Sequence, residues 1–327
     1  MRIDGLGDAL ACVPLLEGLR RAHPSATFGA VCSPANASVF SMLVSPIHVL
    51  ASTTDLPVVM AAVASQGYSH ALVATEEVAG YEIALASRAG RRSGFWHRFE
   101  KPFKSLWQYS QLTDRVYRPA RWSVRPEHEI EALNRLAVPF GAASQPATNT
   151  ASLRSWLAVA QTDLALNAAT GFQIAGKLTS GGWGPAALAN AYASAWDASG
   201  AGGAVLLAGA DDQGLARSLL EHMPSGMREQ TQLLPPSGVP QWFGAIARLG
   251  ALVTPDTGAA HAAGLLGVPV VDLFDRQRFE QLSRQWRPWA APYRCIVKPE
   301  SHAQDAREFG LLIGSTLRSL RTEGAAS

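Results

Sequence analysis

The sequence predicts an α/β protein built from two doubly wound domains facing a cleft, and three observations carry that expectation. Short aliphatic or β-branched runs alternate with helix-period segments along most of the chain, the pattern of βα units and parallel sheets. The length, 327 residues, exceeds what one hydrophobic core commonly serves. Residues 141–152, GAASQPATNTAS, are small and polar with one proline, which is a linker composition. The boundary is therefore expected at residue 150, with a first domain over 1–150 and a second over 151–327.

The elements follow in order. In the first half Thr27–Cys32, Ile47–Leu50 and Ala71–Ala74 read as buried strands, separated by helical stretches such as Leu15–Ala22 and Pro57–Ser65. In the second half the strand readings are Leu164–Ala168, Ala204–Ala208, Leu233–Leu234, Ala251–Thr254 and Pro269–Phe274. The helices are Pro185–Ser199, Asp212–His222, Gln241–Leu249, Thr257–Leu266 and a last one near Gln304–Leu320, able to pack back on the first domain. Gly5-Leu6-Gly7-Asp8 looks like a strand-to-helix turn, yet only Met1–Asp4 precede it. A central strand runs about five to six residues, so a native start several residues upstream is expected.

Composition excludes several classes. Apolar residues make up 47%, ample for packed cores and too many for a disordered chain. A formal net charge of +2 gives no bulk reason to expect a nucleic-acid partner. The three cysteines, Cys12, Cys32 and Cys295, lack CxxC spacing and cannot all pair, which points to a reducing, cytoplasmic setting. No run of 18 apolar residues is present, and Asp4 and Asp8 flank the first apolar run, unlike a signal peptide. There is no HExxH, zinc-type Cys/His set, Walker A loop or GxSxG elbow.

The strongest local signal is Thr254-Pro255-Asp256-Thr257-Gly258-Ala259-Ala260-His261, which follows an apolar strand and opens a small-residue helix. Such a helix mouth offers unpaired N–H groups and a positive dipole end, a ready site for a diphosphate. His261 lies four residues after Thr257 and shares its helix face. A plain cap with a core histidine would read the same way. Asp-Thr-Gly also occurs in aspartic proteases, but a dyad needs two such carboxylates, and this α/β chain has a single copy. Asp8 is a candidate general base or a helix cap. Asp212, after the strand Ala204–Ala208, suits ribose hydroxyls, and Lys177 suits a diphosphate.

Charge supplies the third signal. From Arg88 to Arg125 there are ten cations, including Arg91, Arg92, Lys101 and Lys104, against Glu100 and Asp114 alone. Eight aromatic residues interleave them, among them Trp96, Phe103, Trp107, Tyr109 and Tyr117. That mixture suits an anionic amphipathic partner such as a phosphorylated glycolipid at a membrane face. Single-stranded nucleic acid fits the same composition, as does a solvated basic surface.

In chain order these motifs resemble the ADP-heptose:lipopolysaccharide heptosyltransferases, glycosyltransferase family nine. RIDGLGDALACVPLLEGLRRAHPSA looks like the family's opening signature. VLLAGADD, Leu234-Pro235 and LVTPDTGAAHAAGLLGVPVVDLF look like its donor-side signature. The chain departs from the family at Ser180-Gly181-Gly182-Trp183, where a basic residue is usual, and at Asp275 and RFEQLSRQWRPW after Phe274. The resemblance implies a GT-B fold of two Rossmann-like domains, acceptor on the first and nucleotide sugar on the second. It implies inverting glycosyl transfer with no obligatory metal or cofactor, from ADP-heptose to a lipopolysaccharide-core glycan. Asp8 matches the base, and Asp256, Thr257, Gly258 and His261 match the donor motif, with Asp212 on the ribose and Lys177 on the phosphates. His128 matches a histidine before the first domain's last helix, and Gly7, Arg91, Arg92, Lys101 and Lys104 are expected on the acceptor side. The implied place is the cytoplasm, with peripheral contact at the inner membrane. Another nucleotide sugar, serving exopolysaccharide or protein glycosylation, and a non-catalytic nucleotide-sugar binder remain as alternatives.

Overall fold

The computed structural model describes residues 1–98, 101–119, 126–160, 169–200, 202–300 and 305–325. The expected strand at Leu164–Ala168, and Arg121 and Arg125 of the basic stretch, lie outside these. The chain divides into two compact units, Met1–Trp156 and Leu157–Ser327. Among the described residues no helix is long and apolar enough to cross a membrane.

Among the described residues unit 1 holds five short parallel strands: β1 (Ala30–Cys32), β2 (Ile47–Val49), β3 (His70–Val73), β4 (Arg91–Trp96) and β5 (Asp114–Tyr117). β1 pairs with β2, and β4 lies between β3 and β5. The first residues of the chain join the two sets. The Arg2 N–H donates to Val31 O, the Met1 ammonium to Leu72 O at 2.8 Å, and the Ala74 N–H to Met1 O. Met1–Ile3 thus stand as a short strand between β1 and β3, and the chain steps outward from there in both directions. A cavity of about 320 Å³ lies beside Met1, walled by Gly29, Val31, Phe40, Tyr68 and Leu72. Its walls include neither Asp8 nor any of the basic residues after β4. Cys12 and Cys32 are buried free thiols.

Among the described residues unit 2 holds a six-stranded parallel sheet of β6 (Thr170–Ile174), β7 (Ala204–Ala208), β8 (Thr231–Leu233), β9 (Ala251–Pro255), β10 (Val270–Asp275) and β11 (Tyr293–Lys298). The strand order is β11-β10-β9-β6-β7-β8. The central strands are buried on both faces, as helix-covered parallel sheets require. The helix Pro185–Ser199 opens with proline at its first position and ends at Gly200, whose φ of 67° closes it. The last helix runs over Ala306–Ala325. It buries Phe309, Ile313, Leu317 and Leu320 in its own unit's core. That i, i+4, i+8, i+11 stripe matches the face a helix presents to a neighbour.

Two glycines set how near that helix comes. A Cβ on Gly310 would stand 2.2 Å from Ala191 O, and one on Gly314 2.5 Å from Ala198 Cβ. The helix Pro185–Ser199 is therefore in backbone contact with Ala306–Ala325. Alanine is favoured over glycine inside a helix by about 1 kcal/mol, so the sign of a substitution reports the contact. Gly310→Ala is expected to lower stability by about 1–3 kcal/mol through overpacking. Gly214→Ala, on a helix where the new Cβ meets nothing within 4 Å, is expected to raise it. Urea melts of the full chain check both signs.

Candidate functional site

Ligands of doubly wound sheets sit beyond the carboxyl ends of the strands, where the strand order reverses. In unit 2 the chain steps from β6 outward to β7 and β8, then returns to β9 on the opposite side of β6 and steps outward to β10 and β11. The reversal lies between β6 and β9. Lys177 follows β6 and Asp256 follows β9, and the two meet there: Lys177 Nζ stands 3.6 Å from Asp256 Oδ2 and donates to the Asp256 carbonyl. Lys177 keeps 61% of its side chain exposed, so the ammonium faces solvent as well as its partner.

Thr257 is the N-cap of the helix Gly258–Leu266, its hydroxyl accepting from the Ala259 N–H. The Thr254 and Thr257 hydroxyls lie 3.0 Å apart. Gly258 opens the helix with no side chain at the mouth, which leaves the backbone approachable. Asp212 precedes the helix Gln213–His222 after β7 without a side-chain capping bond, and its Oδ1 lies 3.7 Å from where a Gly176 Cβ would stand. Lys177, Asp212, Asp256, Thr257 and Gly258 therefore gather at one end of the sheet. His261 is on the buried side of its helix, its ring edge-on to Trp286 at 5.7 Å.

Two further residues at this end were not among the expected site residues. Lys298, at the end of β11, is 4% exposed; its Nζ donates to Ser180 O at 2.8 Å and lies 3.5 Å from Asp275 Oδ1. Ser180 Oγ donates to the same carboxylate at 3.0 Å. The loop Gly176–Gly182 is thus held down by a cation from β11, and Gly181, at φ 71°, clears Glu300 O, which a Cβ would approach to 2.5 Å. Asp272, on β10, is fully buried, and the Leu273 amide lies near its carboxyl without completing a hydrogen bond. Burial pushes its pKa well above the carboxylate range; Asp256 adds to this and Lys177 opposes it.

In unit 1 the reversal lies between Met1–Ile3 and β3, and the loops leaving these two strands carry Asp8 and Glu76. Asp8 is the third residue of the helix Leu6–Leu10, with Gly7 before it. Its Oδ2 accepts from the Gly5 N–H at 3.0 Å, a cap-like contact, and its Oδ1 is bound by the Arg2 guanidinium. A quarter of the Asp8 side chain remains exposed. Arg2 is buried and also contacts Asp4 at 3.1 Å and Glu129 at 3.2 Å. Burial raises the Asp4 carboxyl, with Arg2 opposing and Asp8 adding. Glu129 in turn binds Arg118, which lies 3.6 Å from Glu76, and Glu76 also faces His97 and Lys101. Burial alone would raise Glu76, but His97, Arg118 and Lys101 hold it down to about 2.

The basic residues separate by strand polarity. Arg91 and Arg92 open β4, at the amino end, where Arg91 pairs with Asp114 and Arg92 donates to Gln111 O and Ala89 O. Lys101 and Lys104 follow the carboxyl end, and Lys101 alone of the four joins the Asp8–Arg2–Glu129–Arg118–Glu76 chain. His128 caps the helix Glu129–Ala137, its Nδ1 accepting from the Ile130 N–H at 3.1 Å. Among the described residues no group of three or more His, Cys, Asp or Glu side chains comes together as a metal site would need. Burial pushes the Cys12 thiol up to about 11 and the Cys295 thiol up to about 12, away from nucleophilic thiolates at neutral pH.

Asp272 gives a pH prediction. The folded protein retains its proton while the unfolded chain loses it near pH 4, at the ordinary carboxyl value. Stability from this group is full below that pH and falls as pH rises toward the raised folded value. Asp272→Asn removes the slope, so in thermal melts the variant is expected to gain on wild type as pH rises above about 4. A constant difference across that range would contradict the assignment.

Residues 189–310 match the profile of glycosyltransferase family 9 (heptosyltransferase). No curated protein matches the chain in sequence. Among solved structures, E. coli ADP-heptose lps heptosyltransferase II is similar over 99% of this chain and 98% of its own, with a TM-score of 0.70 and 16% identity. E. coli heptosyltransferase WaaC with ADP is similar over 97% and 100%, with a TM-score of 0.71 and 16% identity. The family 9 glycosyl transferase of Veillonella parvula DSM 2008 is similar over 99% and 96%, at 0.70 and 17%. These likenesses show the fold, and the profile covers the segment that holds Asp212, Asp256, Thr257, Gly258 and His261. That segment is thus similar to glycosyltransferase family 9, and the chain has the GT-B fold of these heptosyltransferase structures.

Proposed function

We propose that the protein is an inverting glycosyltransferase that moves a sugar, heptose from ADP-heptose, onto an anionic glycolipid or glycan of the lipopolysaccharide-core kind. The observation that carries this reading is the meeting of Lys177 and Asp256 at the strand reversal of unit 2, beside a capped helix mouth. In that place a lysine and free backbone N–H groups stabilise the charge growing on a departing nucleoside diphosphate. The structure of E. coli WaaC with ADP, a protein of the same fold, supports a nucleoside diphosphate as the ligand class. Asp212, one strand away, suits the ribose hydroxyls.

In this reading Asp8 takes the proton of the acceptor hydroxyl as its oxygen attacks the anomeric carbon. The bond from that carbon to the diphosphate breaks, and its electron pair leaves on the diphosphate oxygen. Arg2 holds the carboxylate in one orientation and keeps its charge paired while the proton is absent. Lys101, next to Glu76 in the same chain of contacts, and Lys104 suit phosphate groups on the acceptor. An acceptor of lipid character would bring the protein to a membrane face.

Asp8→Asn keeps size and hydrogen bonding and removes the base. It is expected to lower turnover about 10²–10⁴-fold while ADP stabilises the variant as it does wild type. Most of the activity surviving in Asp8→Asn would remove Asp8 from the role. Lost nucleotide binding in the same variant would show that it acts on folding instead.

A further inference from the structure

The helix Pro102–Gln111 packs inward through Trp107, edge-on to Tyr81 at 5.8 Å, and through two buried polar side chains. Ser105 is buried and accepts from the His97 N–H at 2.9 Å, and the Gln108 side chain is fully buried. Its outward face carries Phe103, Leu106 and Tyr109 at i, i+3 and i+6, which are 90%, 71% and 41% exposed. Folding alone favours the reverse arrangement, since burying Phe or Leu stabilises and burying an amide costs unless it is paired. Isolated exposed apolar residues are ordinary, but neighbouring ones on one helix face mark a contact surface.

Cations and aromatic rings border this face. Arg115 stacks over Tyr109 at 3.8 Å and donates to its carbonyl, and Arg98 lies over Tyr117 at 4.3 Å. Trp96 meets Tyr109 edge-on at 5.2 Å. Lys101 and Lys104 flank the start of the helix. Between Arg98 and Arg115 the sequence has four cations against Glu100 and Asp114, and Asp114 is spent on Arg91. Aliphatic and phenyl groups at the tip, Tyr and Trp behind them and Arg or Lys around the rim form the layering that suits a lipid–water boundary. The positive rim selects an anionic surface.

We infer that the helix Pro102–Gln111 docks on an anionic lipid bilayer, with Phe103 and Leu106 entering the acyl boundary and Arg98, Lys101, Lys104 and Arg115 at the headgroups. This extends the proposed reading, in which the acceptor is anionic and borne on lipid, but its own observations are the exposure and the charge around one helix.

The test uses the full chain with no nucleotide or acceptor, so that its outcome is separate from that of the transferase reading. Wild type and Phe103→Ser/Leu106→Ser are sedimented with vesicles of phosphatidylcholine containing phosphatidylglycerol, and with vesicles of phosphatidylcholine alone. Wild type is expected to sediment with the anionic vesicles, and at least about tenfold more weakly with neutral ones. The double variant is expected to lose about tenfold or more on the anionic vesicles with its melting temperature unchanged. No sedimentation of wild type, or equal sedimentation of the variant, overturns the proposal. So does a concentration-dependent dimer in wild type, without vesicles, that the double substitution abolishes, because a second copy would then cover the face.

Discussion

A buried guanidinium organises the first unit. Arg2 is 6% exposed and meets Asp4, Asp8, Glu129 and the Ala74 carbonyl, so it joins the first strand, the following turn, the loop after β3 and the helix Glu129–Ala137. A charge so placed costs several kcal/mol in lost hydration and is tolerable only when its partners are complete. The need runs both ways: Asp4 and Asp8 pair with Arg2, and Glu129 is shared between Arg2 and Arg118. From Glu129 the pairing passes through Arg118 to Glu76, His97 and Lys101. The turn bearing Asp8 and the segment bearing Lys101 are thereby held by one electrostatic network, although 93 residues separate them in sequence.

The second unit reaches a similar end by other means. Its site depends on strand order, because β6 and β9 are sheet neighbours whose outgoing loops diverge and leave room between them. Lys177 and Asp256 come from those two loops. Lys298 and Asp275 secure the neighbouring loop from β11 and β10, and the glycine at 181 allows the fit. At Ser180–Trp183, where the sequence lacks the family's usual basic residue, the structure has a buried lysine from a distant strand. It bonds the loop's backbone and lies too deep to face a ligand.

Much of this was legible in the chain, for identifiable reasons. Ala204–Ala208 and Pro185–Ser199 stand where expected because an aliphatic run and a proline-to-glycine frame leave little choice. β4 and β5 were not read, since RRSGFW and DRVY carry charge where a buried strand usually does not; only Ser93–Phe95 of β4 are buried, and no residue of β5 is. β6 was hidden by Gly171 and Gln173, yet Gly171 is required there, because a Cβ would meet Leu249 at 2.3 Å. β11 escaped for a similar reason, its run being broken by Arg294 and Cys295. Arg91 and Arg92 were grouped with Lys101 and Lys104 because composition carries no direction, whereas the strand they open places them at its opposite end. Lys298 had no local signal, and Asp272 lay in the donor-side run with nothing to set it apart; their significance lies in burial and in partners far away in sequence.

The most direct test of the account's central claim is thermal stabilisation by ADP, UDP, GDP and CMP, measured on wild type and on Asp256→Ala. A ligand at about 100 times its dissociation constant adds roughly 2.7 kcal/mol, a shift such melts resolve. The account predicts selective stabilisation by ADP that weakens in Asp256→Ala, because Asp256 and Lys177 meet where the diphosphate is placed. Stabilisation by ADP that is equal in both proteins would contradict that placement, and no stabilisation by any nucleotide would contradict the nucleotide-sugar site itself.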